Sequence, residues 1–260
     1  MKKIVKFKQQ AGRALRMLLR YHNWPTALAD RLGFIPHRPV LYRLRDGVSF
    51  VGYTASLDVR LINEIWLDCI YDTGMASAIQ PDWTILDLGA NKGYFSVRAA
   101  SLASRVISVE PNPSSHALCL ANITLNNMGD KIVLHQAAVA ATRGQITFHI
   151  AEDSADCSVL DLPTLVRKIT VDAVTAEDLI GGIERIDLLK MDIEGAELDL
   201  LLDPHSDAWL KKVTRIAMEY HPSFYEDASR VAMVERLESI GFHVITSPER
   251  AMMYARKSGS

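Results

Sequence analysis

The stretch that decides the fold begins Thr84-Ile85-Leu86-Asp87-Leu88-Gly89-Ala90-Asn91-Lys92-Gly93 and closes, after an amphipathic run, with Val106-Ile107-Ser108-Val109-Glu110. An apolar strand that ends in a glycine turn, followed by a helix and a second strand ending in an acid, is typical of a βαβ unit. Such units carry a nucleotide-type site at their strand ends. The stretch therefore predicts an α/β fold with a ligand at the glycine turn.

The glycine turn and the acid after the second strand have separate predicted roles. Gly89 and Gly93 lack a Cβ atom, so they leave room for a ligand to approach the backbone. The turn, which includes Asn91, also delivers free amide groups of the next helix. Glu110 follows Asp87 by 23 residues, about where such folds place the acid that accepts two ribose hydroxyls.

The residues between the glycines indicate which nucleotide is bound. A dinucleotide fingerprint needs Gly-x-Gly-x-x-Gly, whereas here Asp87 precedes the first glycine and Ala90 and Asn91 fill the middle. A carboxylate is a poor neighbour for a diphosphate, but it can bind the ammonium group of S-adenosylmethionine. We therefore expect a methyl-donor site in preference to a dinucleotide site or to a turn without a ligand.

Five blocks of the sequence resemble the FkbM family of S-adenosylmethionine-dependent methyltransferases. They are Asp87–Ser96, Val109–Pro113, Asn122–Asn126, Lys190–Glu197 and Glu219–Pro222. The likeness covers about Tyr42 to Thr246, and the Asp-Ile-Glu-Gly-Ala-Glu run from Asp192 makes it more specific than the glycine motif alone. The resemblance implies a Rossmann-like class I methyltransferase sheet and methyl transfer, mostly to hydroxyl oxygens of sugars or polyketides.

The predicted donor site collects residues from the ends of three strands. Gln136 and Ala137 follow the third strand, where this fold usually meets the adenine, and Asn112 lies just after Glu110. The predicted cofactor-binding residues are Asp87, Gly89, Asn91, Gly93, Glu110, Asn112, Gln136 and Ala137.

Ionisable residues end two further strands and form the predicted catalytic cluster. His221 is the first candidate for general base, because its ordinary pKa is nearest neutrality. Asp192 either orients it or takes the proton itself, and Glu194 holds a second substrate hydroxyl. With Glu219, these residues could instead bind a divalent ion such as magnesium. We favour the set without a metal, and Glu197 is expected to be structural, since it begins a helix.

Composition and charge narrow the class of protein. The 260 residues are 48% hydrophobic and 23% charged, as in globular proteins, and no apolar run is long enough to span a bilayer. Three scattered cysteines argue against a disulfide framework and for a reducing compartment. Residues 1–20 hold seven Lys or Arg and no acid, which leaves 22 basic and 31 acidic side chains in the rest. We expect a cytoplasmic protein.

The N-terminal part predicts an extension before the methyltransferase fold. In residues 1–20, Ile4, Phe7, Ala11, Leu15 and Leu18 share one helical face, with Lys2, Lys6, Arg13, Arg16 and Arg20 opposite. We favour packing of the apolar face on the domain. Peripheral binding to an anionic inner-membrane surface is the alternative. A hairpin over Val40–Tyr53 and a helix over Leu57–Tyr71 follow, either as a lid over the substrate or as a cover for the sheet.

The remaining elements predict a mostly parallel sheet with an antiparallel C-terminal edge. The later strands are expected at Ile132–His135, Gln145–Ile150, Lys168–Asp172, Ile186–Met191, Arg215–Met218, His243–Thr246 and Met252–Ala255. We divide the chain into an extension, residues 1–80, and a donor-binding methyltransferase domain, residues 81–260.

The predicted function is O-methylation of a hydroxyl on a glycan, a lipid-linked saccharide or a secondary metabolite. Its partners are then a small-molecule or glycan acceptor and no nucleic acid. A catalytically silent binding protein on the same fold is one alternative. An NAD(P)-dependent oxidoreductase is another, but Asp87 argues against it. The acceptor does not follow from the sequence, because acceptor specificity lies in loops. The oligomeric state does not follow from it either.

Overall fold

The computed structural model describes residue 12 and residues 14–72, 78–151, 165–221 and 227–258. The extension contains α1 (residues 14–20), α2 (Trp24–Arg31), β1 (Pro39–Arg43), β2 (Ser49–Tyr53) and α3 (Asp58–Trp66). The chain then forms β3 (Thr84–Leu88), α4 (Tyr94–Leu102), β4 (Arg105–Val109), α5 (Pro113–Leu125) and β5 (Ile132–His135).

In its described residues, the second half of the chain adds two groups of elements, which together contain seven strands, four α-helices and a 3-10 turn. The first group consists of β6 (Ala138–Val139), β7 (Gly144–Ala151), β8 (Leu165–Val174) and the helix α6 (Ala176–Ile180). The second consists of β9 (Leu188–Met191), α7 (Glu197–Leu202), α8 (Asp207–Leu210), β10 (Arg215–Glu219), α9 (Asp227–Ser239), β11 (Phe242–Ser247), a 3-10 turn (Pro248–Arg250) and β12 (Met252–Lys257).

A seven-stranded sheet in the order β11-β12-β10-β9-β3-β4-β5 forms the centre of the molecule. The pairs among β10, β9, β3, β4 and β5 are parallel, and β12 is antiparallel to both of its neighbours. Strands buried on both faces need nearly continuous apolar sequence, and Ile85, Leu86 and Leu88 of β3 are all fully buried. The predicted parallel sheet with an antiparallel C-terminal edge is confirmed.

Two hydrophobic cores lie on opposite faces of this sheet, because alternate residues of a strand point to opposite sides. Ile85 belongs to the core shared with α4, α5 and the extension, whereas Leu86 belongs to the core shared with α6, α7, α8 and α9. The extension thus packs into the same core as the sheet. The division at residue 80 stays a prediction.

The predicted hairpin is present, and it is fastened to the helices beneath it. Residues 39–43 pair antiparallel with residues 49–53 around the turn at Asp46-Gly47. The Asn122 side chain of α5 accepts a hydrogen bond from the Val51 amide (2.7 Å) and donates one to the Lys92 carbonyl (2.8 Å). One buried amide side chain therefore ties the hairpin to the glycine turn.

The two strands predicted over Gln145–Ile150 and Lys168–Asp172 are present as β7 and β8, but they lie outside the main sheet. With β6, which the sequence analysis missed, they form a three-stranded sheet in the order β6-β8-β7. Phe148 of β7 is buried in its small apolar cluster. This sheet continues directly from the end of β5 and so borders the ligand edge.

The predicted packing face of the N-terminal helix is wrong where the structure describes it. Leu15 and Leu18 are 58% and 39% exposed, while Met17 is buried and Tyr21 just beyond the helix has no exposed surface. Met17 and Tyr21 pack against α3 instead, and the Tyr21 hydroxyl donates a hydrogen bond to the Asn63 side chain of that helix at 2.9 Å. The rest of the predicted stripe lies outside the described residues. Within the described part of the chain, no helix has the length and apolarity to cross a membrane.

Candidate active site

A cavity of about 230 Å³ lies at the carboxyl ends of the parallel strands. This is the edge at which open α/β sheets bind ligands. Its walls come from the ends of β3, β4, β9 and β10, from the segment after β5, from β7 and from α3. The predicted site residues among its lining are Gly89, Asn91, Glu110, Ala137, Asp192, Glu194 and His221.

The glycines of the turn are required by contacts within the chain. Gly89 has a φ of +79°, and a Cβ atom there would lie 1.8 Å from the Asp192 carbonyl oxygen. Gly93 has the same φ, and its Cβ atom would lie 2.7 Å from the Cys119 Sγ atom. The prediction explained both glycines by room for a ligand. The structure adds a different reason, which is the close approach of the neighbouring strand end and of α5.

Lys190 lies buried beneath the turn and pairs with Asp87. Its Nζ atom donates to the Gly89 carbonyl at 2.5 Å and lies 3.3 Å from the Asp87 Oδ1 atom. The other Asp87 oxygen accepts from the Ser96 hydroxyl at 2.6 Å, and the carboxylate has no exposed surface. Asp87 is therefore not part of the cavity lining, and its predicted contact with the ammonium group of the donor, direct or through water, stays a prediction.

Glu110 lies at the cavity with both carboxylate oxygens held by backbone amides. The Asn91 amide donates to one oxygen at 2.7 Å and the Asn112 amide to the other at 2.8 Å. Burial raises the pKa of Glu110 to about 7, although the two amides act to lower it. Each oxygen keeps a further lone pair and can accept a hydrogen bond from a ribose hydroxyl. The predicted binding of the ribose by Glu110 stays a prediction.

Three other predicted donor residues do not line the cavity. Asn112 is buried and caps α5, since its side chain accepts from the Ser114 amide at 3.0 Å. Gly93 lies against Cys119. Gln136 is exposed, while its neighbour Ala137 lines the cavity.

Asp192, Glu194 and His221 converge at the other end of the cavity, as the sequence predicts. The His221 Nε2 atom lies 3.1 Å from the Glu194 Oε2 atom and 3.7 Å from the Asp192 Oδ1 atom. The Nδ1 atom lies 3.5 Å from the Glu197 Oε1 atom. Glu197 is fully buried and accepts from the amides of Ile193 and Gly195, which is the structural role expected of it.

The pKa values of His221, Glu194 and Glu219 are all raised in this cluster. Burial alone would lower the pKa of His221, but the carboxylates of Glu197, Asp192 and Glu194 outweigh it and raise the pKa to about 10. Burial and Asp192 raise the pKa of Glu194 to about 9, and burial and Asp192 raise that of Glu219 to about 7. The general-base role stays a prediction for His221. Its raised pKa counts against that role, because an imidazolium has no lone pair to accept a proton.

No residue of α3 or β7 was predicted to belong to the site, although the extension was offered as a lid over the substrate. Leu57, at the N-cap of α3, and Arg60, Leu61 and Glu64 within the helix line the cavity from one side. Their spacing of three, four and seven residues places them on one helical face, which was the available signal. Phe148 of β7 contributes a second wall. The extension therefore borders the cavity, as the lid interpretation requires.

Curated proteins with similar sequences include two methyltransferases. The "2-O-methyltransferase NoeI" of Sinorhizobium fredii is 30% identical over 144 residues, 47% of this chain and 57% of that protein. The chain thus matches little more than half the length of that relative. "Methyltransferase 1" of Beauveria bassiana is 26% identical over 228 residues, 78% of this chain and 88% of that protein.

A solved structure and a family model agree with the fold. The crystal structure of a methyltransferase FkbM from Methylobacillus flagellatus superposes with a TM-score of 0.51 at 16% identity. The match covers 75% of this chain and 47% of that one. The model of the methyltransferase FkbM domain matches residues 87–244, which is more than half of the chain. The chain belongs to the FkbM family of S-adenosylmethionine-dependent methyltransferases.

Proposed function

We propose that this protein methylates a hydroxyl oxygen of a glycan, a lipid-linked saccharide or a secondary metabolite. One observation carries the proposal. The Asp192–Glu194–His221 cluster opens into the same cavity as the glycine turn and Glu110. A methyl donor held at the turn and an acceptor hydroxyl held at the cluster would therefore share one cavity.

The residues at the turn fit an S-adenosyl donor. Glu110 offers carboxylate lone pairs for hydroxyl donors, and Ala137 provides apolar surface beyond it. The side-chain oxygen of Asn91 is buried and accepts no hydrogen bond from the described residues, although it belongs to a cavity-lining side chain. A buried acceptor without a donor is costly, so a bound group that donates there would be stabilised. S-adenosylmethionine supplies the electrophilic methyl group when bound.

The cluster would orient the acceptor and receive its proton. Methyl transfer to an alcohol forms a carbon–oxygen bond, and the hydroxyl proton must leave to a base. The Asp192 Oδ1 atom is buried and accepts no hydrogen bond from the described residues, so it can accept one from the acceptor. Glu194 and Glu219 line the same wall and can hold neighbouring hydroxyls. Several carboxylates in one cavity suit a polyhydroxylated acceptor, because each carboxylate accepts several hydrogen bonds.

The name of one relative supports oxygen as the acceptor atom, since NoeI is a 2-O-methyltransferase. We extend that chemistry to this chain, and we choose the acceptor class from the hydrogen-bonding capacity of the cavity.

The test has a binding stage and a turnover stage. Calorimetry should show binding of S-adenosylhomocysteine and no binding of NAD. The protein should then be incubated with isotopically labelled donor and a panel of saccharides, lipid-linked saccharides and polyhydroxylated metabolites. Mass spectrometry and ¹³C NMR should identify a methyl ether. Methylation at nitrogen or carbon would overturn the O-methyltransferase proposal, and donor binding without any turnover across the panel would favour the silent binding protein.

A further inference from the structure

We propose that Asp192, Glu194 and His221 bind one divalent cation at the acceptor end of the cavity. The cation's role in holding and acidifying the acceptor hydroxyl rests on the proposed function. The binding of the cation does not.

The three ligand atoms lie close to the spacing that one ion could bridge. One atom from each side chain falls within 4.8 Å of the other two. The His221 Nε2 atom is 3.1 Å from Glu194 Oε2 and 3.7 Å from Asp192 Oδ1. Two atoms bonded to the same ion at roughly 2.1 Å can be at most about 4.2 Å apart. Only a small contraction is needed to complete the site.

Buried Glu197 orients His221 as metal sites require. The Glu197 carboxylate is fixed by the amides of Ile193 and Gly195, and its Oε1 atom lies 3.5 Å from His221 Nδ1. A hydrogen on Nδ1 is favoured there, and a bound ion would replace the proton on Nε2, the nitrogen that faces the other two carboxylates. Metal-binding histidines commonly hold their second nitrogen against a carboxylate in this way.

Tyr71 provides the corresponding support for Asp192. The buried Tyr71 hydroxyl donates to Asp192 Oδ2 at 3.1 Å. The other oxygen, Oδ1, is the one that faces His221, and it is buried without a hydrogen bond from the described residues. A buried carboxylate oxygen that lacks a donor is costly unless a cation or an acceptor group satisfies it. This orphaned atom is independent of the spacing argument.

The donor set selects the class of ion. One imidazole nitrogen and two carboxylate oxygens suit Mn²⁺ or Mg²⁺ better than ions that prefer thiolates. Three protein ligands leave coordination positions open toward the cavity that the same residues line. An acceptor hydroxyl bound at such a position would have a lowered pKa and a fixed orientation. The sequence favoured this cluster without a metal, and Glu219 joined these three residues only in the alternative that binds a divalent ion.

Direct binding of Mn²⁺ tests the inference without any acceptor. The full-length protein should be freed of metal with a chelator and titrated with Mn²⁺ while the EPR signal of the free ion is followed. We expect one saturable site. Asp192→Asn and His221→Ala should each weaken binding by 10-fold or more. Asp199→Asn, a matched change at an exposed carboxylate of α7, should leave it unchanged.

Two results would overturn the inference. One is the absence of saturable binding up to about 1 mM Mn²⁺, and the other is equal affinity in wild type and Asp192→Asn. Each variant should also be titrated with S-adenosylhomocysteine, whose binding shows that the fold is intact. S-adenosylhomocysteine bound without a Mn²⁺ site would reject the cation and leave the methyltransferase proposal standing. Mn²⁺ bound without S-adenosylhomocysteine would do the reverse.

Discussion

The Lys92 ammonium donates a hydrogen bond of 2.5 Å to the Asp58 carboxylate, and both side chains are buried. Lys92 belongs to the glycine turn and Asp58 is the first residue of α3. The second oxygen of Asp58 accepts from the Tyr53 amide at 2.7 Å, at the end of the hairpin. One ion pair therefore joins the extension to the glycine turn.

Replacing Lys92 with Met should destabilise the protein by about 3–5 kcal/mol, because it leaves the Asp58 carboxylate buried without its partner. Urea unfolding followed by circular dichroism would measure the loss. Lys211→Met breaks an exposed pair with Asp207 and should cost less than about 1 kcal/mol. A Lys92→Met loss as small as the Lys211→Met loss would contradict the anchoring role.

Replacing Gly89 with Ala should cost at least about 2 kcal/mol, through the left-handed backbone and the contact with the Asp192 carbonyl. Thermal unfolding would show this as a lowered Tm. Gly129→Ala is the matched control, since its Cβ atom would meet nothing within 4 Å. Equal Tm values for the two variants would show that the turn can move away from Asp192.

The affinity for S-adenosylhomocysteine should depend on the ionisation of Glu110, whose pKa is raised to about 7. Ribose hydroxyls donate more strongly to the carboxylate than to the acid, so affinity should fall as the pH drops below 7. Glu110→Gln should bind roughly 10-fold to 150-fold more weakly at pH 8, corresponding to about 1.5–3 kcal/mol. It should also show a flatter pH profile. Calorimetry between pH 6 and 8 would measure both effects, and a wild-type profile as flat as the variant's would contradict the assignment.

The raised pKa of Glu110 also predicts how the free energy of unfolding changes with pH. The folded protein keeps the Glu110 proton up to about pH 7, whereas the unfolded chain loses it near the ordinary value of 4.5. The contribution of Glu110 to the free energy of unfolding should therefore decrease by roughly 3 kcal/mol as the pH rises through this window. Glu110→Gln should remove that contribution and leave those of Glu194 and Glu219, whose pKa values are also raised. Glu177→Gln, at an exposed carboxylate, should keep the Glu110 contribution.

Replacing His221 with Asn should lower turnover by about 10² to 10⁴ while the affinity for S-adenosylhomocysteine stays nearly constant. The reason is position, because His221 lies in the acceptor cluster and not at the glycine turn. Rates with labelled donor and calorimetry would separate the two effects. His205→Asn, at an exposed histidine, is the control. An unchanged rate in His221→Asn would remove this residue from the mechanism.

The exposed leucines of α1 suggest contact with an anionic bilayer. Leu15, Leu18 and Leu19 are 58%, 39% and 61% exposed, and residues 1–20 hold seven basic residues and no acid. We expect the protein to co-sediment with phosphatidylserine vesicles and to be released as the salt concentration rises. Changing these three leucines to Ser should reduce sedimentation, while the same change at the exposed Leu120 and Leu125 should not. Equal sedimentation of the two variants would argue against this surface.

Most of the sheet could be predicted because each strand carries its own apolar run between turns. The pairing of Asp87 with Lys190 could not, because it depends on the register between β3 and β9, which places these two residues side by side. A signal was nevertheless present. Two opposite charges near the ends of buried strands are expected to pair, since an isolated buried charge is costly.

Two differences between the prediction and the structure have simple geometric causes. Gln136 and Ala137 were predicted to bind the donor together, but only Ala137 lines the cavity, because successive side chains of an extended chain point in opposite directions. The face of α1 was read from its apolar stripe, whereas contact with α3 selects Met17. The site residues from β4, β9 and β10 converge because carboxyl ends of parallel strands meet at one edge, and that rule needs no knowledge of register.

The contact between Gly89 and the Asp192 carbonyl has a consequence for the reaction trajectory. The glycine turn and the first residue of the Asp192–Glu194–His221 cluster touch through backbone atoms, with no flexible side chain between them. Methyl transfer needs the nucleophile, the methyl carbon and the leaving sulfur in line, and small errors in that alignment slow the reaction. A donor at the turn and an acceptor at the cluster would both be positioned by this one backbone contact. Adaptation to different acceptors would then fall to α3 and β7, which border the cavity without setting that alignment.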